Sequence, residues 1–114
     1  MYFLVIQIIY SGRTERSCPS GRSCPDAKEK GFHITNSINH WSNFQTMVDY
    51  MTYIVKPYVE SVQEKLNCHN VQPLVTMDAW SVHTSKKFRE FLYETEPFCN
   101  YYYVYIPGGC TSVL

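Results

Sequence analysis

The sequence predicts an α/β fold in which strands pair in parallel. Three short apolar runs are typical of buried strands, amphipathic segments lie between them, and the order is strand, helix, strand, helix, strand. With 114 residues the chain is one small domain or part of one, and it needs no disulfide or metal to form a core. Ten Lys/Arg balance ten Asp/Glu, so net charge supplies no global attraction for nucleic acid or an anionic membrane.

The first predicted element is a buried strand over residues 2–10. The opening segment, MYFLVIQIIY, contains Leu, Val, Ile and aromatic residues without strict alternation, which is typical of a strand covered on both faces. It is too short to cross a bilayer and lacks the features of a signal peptide, so we expect no membrane association. Residues 11–40 are rich in Ser, Pro, Gly and charge, which predicts a long polar loop.

A helix is predicted to begin at Ser42. The segment from Ser42 to Gln45 has the S-x-x-Q form of a capping box, in which both side chains satisfy free backbone N–H groups. Apolar residues then recur at three- and four-residue steps as far as Leu66, which indicates an amphipathic helix. Pro57 interrupts this stripe and predicts a kink, because proline cannot donate the helical hydrogen bond.

The second half of the chain predicts strand, helix and strand. Residues 73–78 form a short apolar run that ends in an acid, and residues 101–106 form a third strand that Pro107 ends. Between them, Thr84 or Ser85 is expected to cap a helix that runs to about Glu94. The predicted inward face of that helix consists of Phe88, Phe91 and Leu92.

Asp78 is the most informative candidate for a functional residue. In parallel α/β sheets ligands bind outside the carboxyl ends of the strands, and Asp78 lies at such an end. A carboxylate there can bind Mg²⁺, and His83, five residues later, could contact a phosphate or a metal-bound water. The alternative is that Asp78 caps the following turn and that His83 is a solvated loop residue.

The five cysteines point to no particular chemistry. They form an odd count without a C-x-x-C pair, and neither they nor the histidines show the spacing of a structural zinc site. No secretory signal accompanies them, so we expect reduced thiols in a nuclear or cytosolic compartment. No Gly-rich phosphate-binding loop occurs either.

Three stretches of the chain resemble a known protein family. They are IIYSGRTERSCP at the start, GFHITNSINHWSNFQTMVDYMTYIVKPYV in the middle, and LVTMDAWSVHTS with YVYIPGGCTSVL towards the end. Together they resemble the catalytic domain of DDE superfamily endonucleases, the pogo/Tigger-type transposases and their host-domesticated relatives. The most specific pieces are NHWSN-x-x-TM with the later PYV, and an Asp-ended strand followed by xPxxCTxxL.

The resemblance implies an RNase H-like fold, here a partial mixed or parallel sheet with helices over residues 1–114. The family holds two Mg²⁺ or Mn²⁺ ions with three acids and cleaves phosphodiesters. Asp78 matches the second acid, whereas the first is expected to precede Met1 and the third to follow Leu114. A single carboxylate cannot replace the three-acid cage, because Mg²⁺ dehydrates reluctantly. We therefore expect weak or no metal binding, and no cleavage by this chain alone.

Two functions follow as expectations. The first is a nuclear fragment of a transposase-derived DDE domain that binds DNA weakly by ancestry, helped by the segment from Arg13 to Lys30 with five basic and three acidic residues. The second is a small non-enzymatic interaction module that binds a protein partner or itself through exposed sheet edges or the Trp41/Trp80 region. Without the missing strands, either the first strand lies beside residues 74–77, or apolar edges remain unpaired and favour self-association.

Overall fold

A computed structural model describes residues 6–19 and 31–110. The chain divides into two compact units, Met1–Tyr58 and Val59–Leu114, which are considered separately below. Both contain short parallel strand pairs and helices, which confirms the α/β class at this coarse level. None of the described helices is long and apolar enough to cross a membrane.

The first unit contains a parallel pair of strands, β1 (Gln7–Ser11) and β2 (His33–Ser37). The register places Gln7 opposite His33 and Ser11 opposite Ser37. β2 lies inside residues 11–40, where the sequence predicts a loop, so that prediction is wrong for this segment. The polar residues of HITNS obscured the strand signal, and pairing with β1 supplies the partner that the local pattern does not reveal. The predicted strand over residues 2–10 is described only from residue 6 onward.

The helical segment that follows has three parts. They are α1 (Phe44–Tyr50), a π-helical turn (Met51–Val55) and α2 (Lys56–Lys65). The wide turn ends two residues before Pro57 and contains Tyr53, whose carbonyl the proline ring would clash with in a regular helix. A π-helical turn therefore stands where the sequence predicts a proline kink.

The cap of α1 differs from the predicted S-x-x-Q box. Asn43 is the N-cap: its side chain accepts a hydrogen bond from Thr46 N at 3.0 Å, while Asn43 N donates to Thr46 Oγ1 at 2.8 Å. The capping box is thus shifted by one residue from Ser42 and Gln45. The buried apolar side chains of this unit are Met47, Met51, Ile54 and Val55. Gln7 Nε2 also donates to Thr46 O at 2.9 Å, which fastens β1 to the start of the helix.

The second unit confirms the predicted strand, helix and strand. β3 (Leu74–Asp78) pairs in parallel with β4 (Tyr102–Ile106), so Asp78 lies opposite Ile106. Between them lie a short helix, α3 (Ser81–Thr84), and the longer α4 (Lys86–Glu94). Ser85 caps α4, as predicted, by accepting a hydrogen bond from Phe88 N. The core of this unit consists of Val59, Met77, Phe88, Leu92, Phe98 and Tyr101.

The described strands form two separate two-stranded sheets, β1 with β2 and β3 with β4. Among the described residues β1 and β3 do not pair, so the first of the two alternatives, a first strand beside residues 74–77, is not observed. Leu66, the last residue of the predicted apolar stripe, is exposed because α2 ends at Lys65.

Candidate functional site

Asp78 occupies the carboxyl end of β3, as the sequence predicts. Ala79 N donates to Ile106 O at 3.0 Å, so the parallel pairing continues past the acid and holds its backbone. The Asp78 side chain is 49% exposed. The carboxylate therefore lies at the rim of the sheet, where a ligand can reach it.

His83 is the immediate partner of Asp78. The Nδ1 atom of His83 lies 2.7 Å from Asp78 Oδ1 and 3.2 Å from the Asp78 carbonyl oxygen. The one-turn helix α3 brings the imidazole back over the strand end, across the four residues that separate Asp78 from His83. The structure thus brings together the two residues that sequence reasoning placed on the same rim.

Two aromatic residues hold His83 in this position. The ring of Trp80 meets the imidazole edge-on, with centroids 5.5 Å apart. Tyr105, on β4, donates its hydroxyl to the His83 carbonyl oxygen at 3.1 Å. Burial is the main cause that raises the pKa of Tyr105, and the neighbouring Tyr93 adds to it despite the opposing effect of Arg89. The phenol of Tyr105 therefore remains a neutral donor.

The donors around Asp78 do not fit a Mg²⁺ or Mn²⁺ cage of three acids. Within residues 6–19 and 31–110, no three His, Cys, Asp or Glu side chains lie close enough together to hold a metal ion. At this corner, by which we mean the carboxyl end of β3 with Asp78 and His83, the available ligands are one carboxylate and one imidazole. Mg²⁺, in contrast, prefers oxygen ligands in octahedral geometry. The role of Asp78 as a metal ligand stays a prediction.

A second cluster lies in the first unit, where two loops meet at the carboxyl ends of β1 and β2. We call it the loop pair; it comprises residues 12–17 and 38–41. Gly12 N donates to Ser37 O at 2.8 Å, and Ser11 Oγ donates to Ile38 O at 3.1 Å. Asn36 Nδ2 donates to Gly12 O at 3.0 Å. These hydrogen bonds join the two loops into one surface.

Gly12 is required for the close approach within the loop pair. Its φ of 154° is rare for other residues, and a Cβ at this position would overlap the Ser17 side chain. His40 also adopts a left-handed conformation, with φ of 57°. The backbone at Gly12 and His40 therefore has conformations that most residues avoid.

The surface of the loop pair combines cationic and aromatic side chains. Arg13 and Arg16 are exposed, with Glu15 between them. Trp41 is 58% exposed, and its ring stacks on His40 with centroids 5.7 Å apart. Sequence reasoning identified the basic segment and Trp41 separately, but it did not predict that β2 brings the loops that carry them into hydrogen-bonded contact. The other basic residues of that segment, Arg22, Lys28 and Lys30, lie outside the described residues.

A third feature is an exposed apolar face on the sheet of the second unit. Leu74 lies opposite Tyr102 and Thr76 lies opposite Val104. Alternate residues of paired strands share one face, and Leu74, Tyr102 and Val104 are all exposed on it. Met77 points to the opposite, buried face.

The chain was also compared with known proteins. No family model matches it, and no curated protein or solved structure is significantly similar to it. The resemblance to DDE endonucleases therefore stays a prediction.

Proposed function

We propose that this chain is a fragment of a transposase-derived DDE endonuclease domain of RNase H-like ancestry, with nuclear localisation, which binds DNA weakly and does not cleave it. The observation that carries the DNA-binding role is the loop pair, in which two exposed arginines and an exposed tryptophan stand on hydrogen-bonded loops at the carboxyl ends of parallel strands.

The chemistry of the loop pair suits single-stranded DNA. Arginine side chains such as Arg13 and Arg16 neutralise phosphates, and an exposed indole such as Trp41 offers a face on which any base can stack. The packed backbone around Gly12 presents these groups without a large cost of ordering. Two cations and one intervening acid make the affinity low and strongly dependent on salt.

The ancestry is supported by the position of Asp78 at the end of a parallel strand. The absence of cleavage follows from the chemistry of the corner, since one carboxylate engaged by an imidazole cannot place two metal ions on a phosphodiester. Purified protein should therefore leave supercoiled DNA intact in the presence of Mn²⁺.

The binding experiment measures fluorescence anisotropy of labelled single-stranded and duplex oligonucleotides at several salt concentrations. We expect the single strand to bind more tightly, because only unpaired bases can stack on Trp41. Arg13→Ala combined with Arg16→Ala should weaken binding and reduce the slope of log affinity against log salt by about 1.4, or about 0.7 per phosphate contact. Trp41→Ala should weaken binding to the single strand by roughly tenfold and leave duplex binding nearly unchanged.

The matched control is Lys86→Ala combined with Lys87→Ala, which removes two exposed charges from α4 in the second unit. This control should leave binding close to that of the wild type. Equal losses in both double variants would mean that binding follows total charge, and the assignment to the loop pair would be wrong.

The second candidate function is self-association through the apolar face of β3 and β4. The observation that favours it is the exposure of three apolar side chains on this face, Leu74, Tyr102 and Val104. The proposed partner is a second copy of this chain, because a net charge of zero produces no overall repulsion between copies. Sedimentation velocity would show concentration-dependent dimers that Tyr102→Lys abolishes. A monomer at all concentrations would rule out this function.

A further inference from the structure

We infer that His83 is a positioning residue that engages the Asp78 carboxylate and so closes it to divalent metal ions. Asp78 then acts as the acceptor of a structural hydrogen bond between β3 and α3. This inference rests on the proposed function only in treating Asp78 as the counterpart of a metal-binding acid.

The first argument concerns which atom carries the proton. An ionised carboxylate has only acceptors, so the contact of 2.7 Å between Asp78 Oδ1 and His83 Nδ1 requires that the nitrogen donates. The same nitrogen lies 3.2 Å from the backbone oxygen of Asp78. Its N–H therefore faces two oxygen atoms of a single residue. A protonated Nδ1 cannot coordinate a metal, and one lone pair of Oδ1 is engaged by His83.

The second argument concerns how firmly the imidazole is placed. The His83 side chain is only 18% exposed, compared with 49% for Asp78. Trp80 contacts the ring at its edge, and the Tyr105 hydroxyl anchors the His83 backbone from β4. Moving the ring aside to admit a metal would break the bond to Asp78 and disturb these contacts as well.

The third argument concerns what remains for a metal. The hydrogen bond from His83 weakens Oδ1 as a metal ligand, which leaves Oδ2 as the better of the two oxygens. Mg²⁺ and Mn²⁺ bound through one oxygen atom would keep nearly their full hydration shell. The corner thus retains the acid at its strand end, while His83 takes the place that a metal would need.

The experiment is a Mn²⁺ titration, followed by calorimetry, of the wild type, Asp78→Ala, His83→Ala and the double variant. A closed carboxylate predicts that the wild type and Asp78→Ala bind Mn²⁺ equally weakly. His83→Ala should bind roughly fivefold more tightly than the wild type, the equivalent of one net hydrogen bond of about 1 kcal/mol. The double variant should return to the affinity of Asp78→Ala. His69→Ala is the matched control, since it removes an exposed imidazole from the turn after α2, and it should behave as the wild type.

Three outcomes would overturn the inference. If His83→Ala binds more weakly than the wild type, His83 is a metal ligand. If it binds equally, the hydrogen bond does not control access to Asp78. If Asp78→Ala alone loses binding, the carboxylate is open in the wild type.

A second readout does not depend on metal. Nitrogen-correlated NMR spectra of the neutral imidazole should show His83 protonated at Nδ1 in the wild type, the tautomer that the contact with Asp78 Oδ1 requires. Protonation at Nε2 in the wild type would contradict the inference even if His83→Ala failed to fold. Failure of the loop pair to bind DNA would refute the proposed function but leave both of these measurements intact.

Discussion

Leu92 and Leu74 form a matched pair for testing the packing of the second unit. Leu92, on α4, is 0% exposed, whereas Leu74, on β3, is 64% exposed. Replacing a buried leucine by alanine removes its transfer free energy and leaves a cavity, so Leu92→Ala should lower the free energy of unfolding by about 3–5 kcal/mol. Leu74→Ala makes the same chemical change at the surface and should cost less than about 0.5 kcal/mol.

The assay is urea unfolding followed by tryptophan fluorescence. In a Trp41→Phe background, Trp80 is the sole remaining tryptophan and reports the second unit alone. With a urea slope of about 1.5 kcal/mol per molar, a loss of about 3 kcal/mol shifts the midpoint by ~2 M. Equal midpoints for the two alanine variants would refute the packing described for α4. If Leu92→Ala does not fold at all, Leu92→Met, which conserves volume, should still fold and cost less than about 1.5 kcal/mol.

Three further predictions concern caps, loop packing and alkaline stability. Asn43→Ala should lower the free energy of unfolding by about 1 kcal/mol, because it removes the observed cap, whereas Gln45→Ala should change it by less than about 0.5 kcal/mol. Urea midpoints measure both effects. A larger loss for Gln45→Ala would mean that the capping box is formed by Ser42 and Gln45 instead. Gly12→Ala should destabilise the first unit by about 1–3 kcal/mol, since the new Cβ would overlap Ser17 at a strained φ; an unchanged thermal midpoint would mean that the loop pair is packed differently. Burial is the main cause that raises the pKa of Tyr103 above its ordinary 10.0 in the folded state, and the neighbouring phenols add to it. As the pH rises, the unfolded chain therefore loses the Tyr103 proton before the folded chain does. The stability contributed by Tyr103 is therefore complete below about pH 10 and is lost as the pH rises further, so urea midpoints should fall between about pH 9.5 and 11, and less steeply in Tyr103→Phe.

Sequence reasoning predicted the second unit well. The apolar runs that became β3 and β4, and the Ser85 cap of α4, are patterns within short segments of chain, and such patterns report local preference directly. The position of Asp78 at the end of β3 followed from the same pattern. The prediction was less accurate where a neighbouring residue could supply the same chemistry, as for Asn43 in place of Ser42.

β2 shows why the first unit was harder to predict. His33, Thr35, Asn36 and Ser37 are polar, and nothing within HITNS separates a strand from a loop. The segment becomes a strand because β1 offers it a hydrogen-bonding edge. The hydrogen bonds that join the loop after β1 to the loop after β2 depend on that pairing, so they were not visible in the order of residues.

The sequence by itself determined the α/β class, the strand that ends at Asp78, the amphipathic helices and the zero net charge. Each of these depends on residue type and on spacing over a few turns of chain. Only the tertiary structure decided which strands pair, that His83 returns to engage Asp78, and that two loops combine into one cationic and aromatic surface. These features depend on contacts between residues that are distant in sequence or turned towards one another by an intervening helix, and local preferences do not encode such contacts.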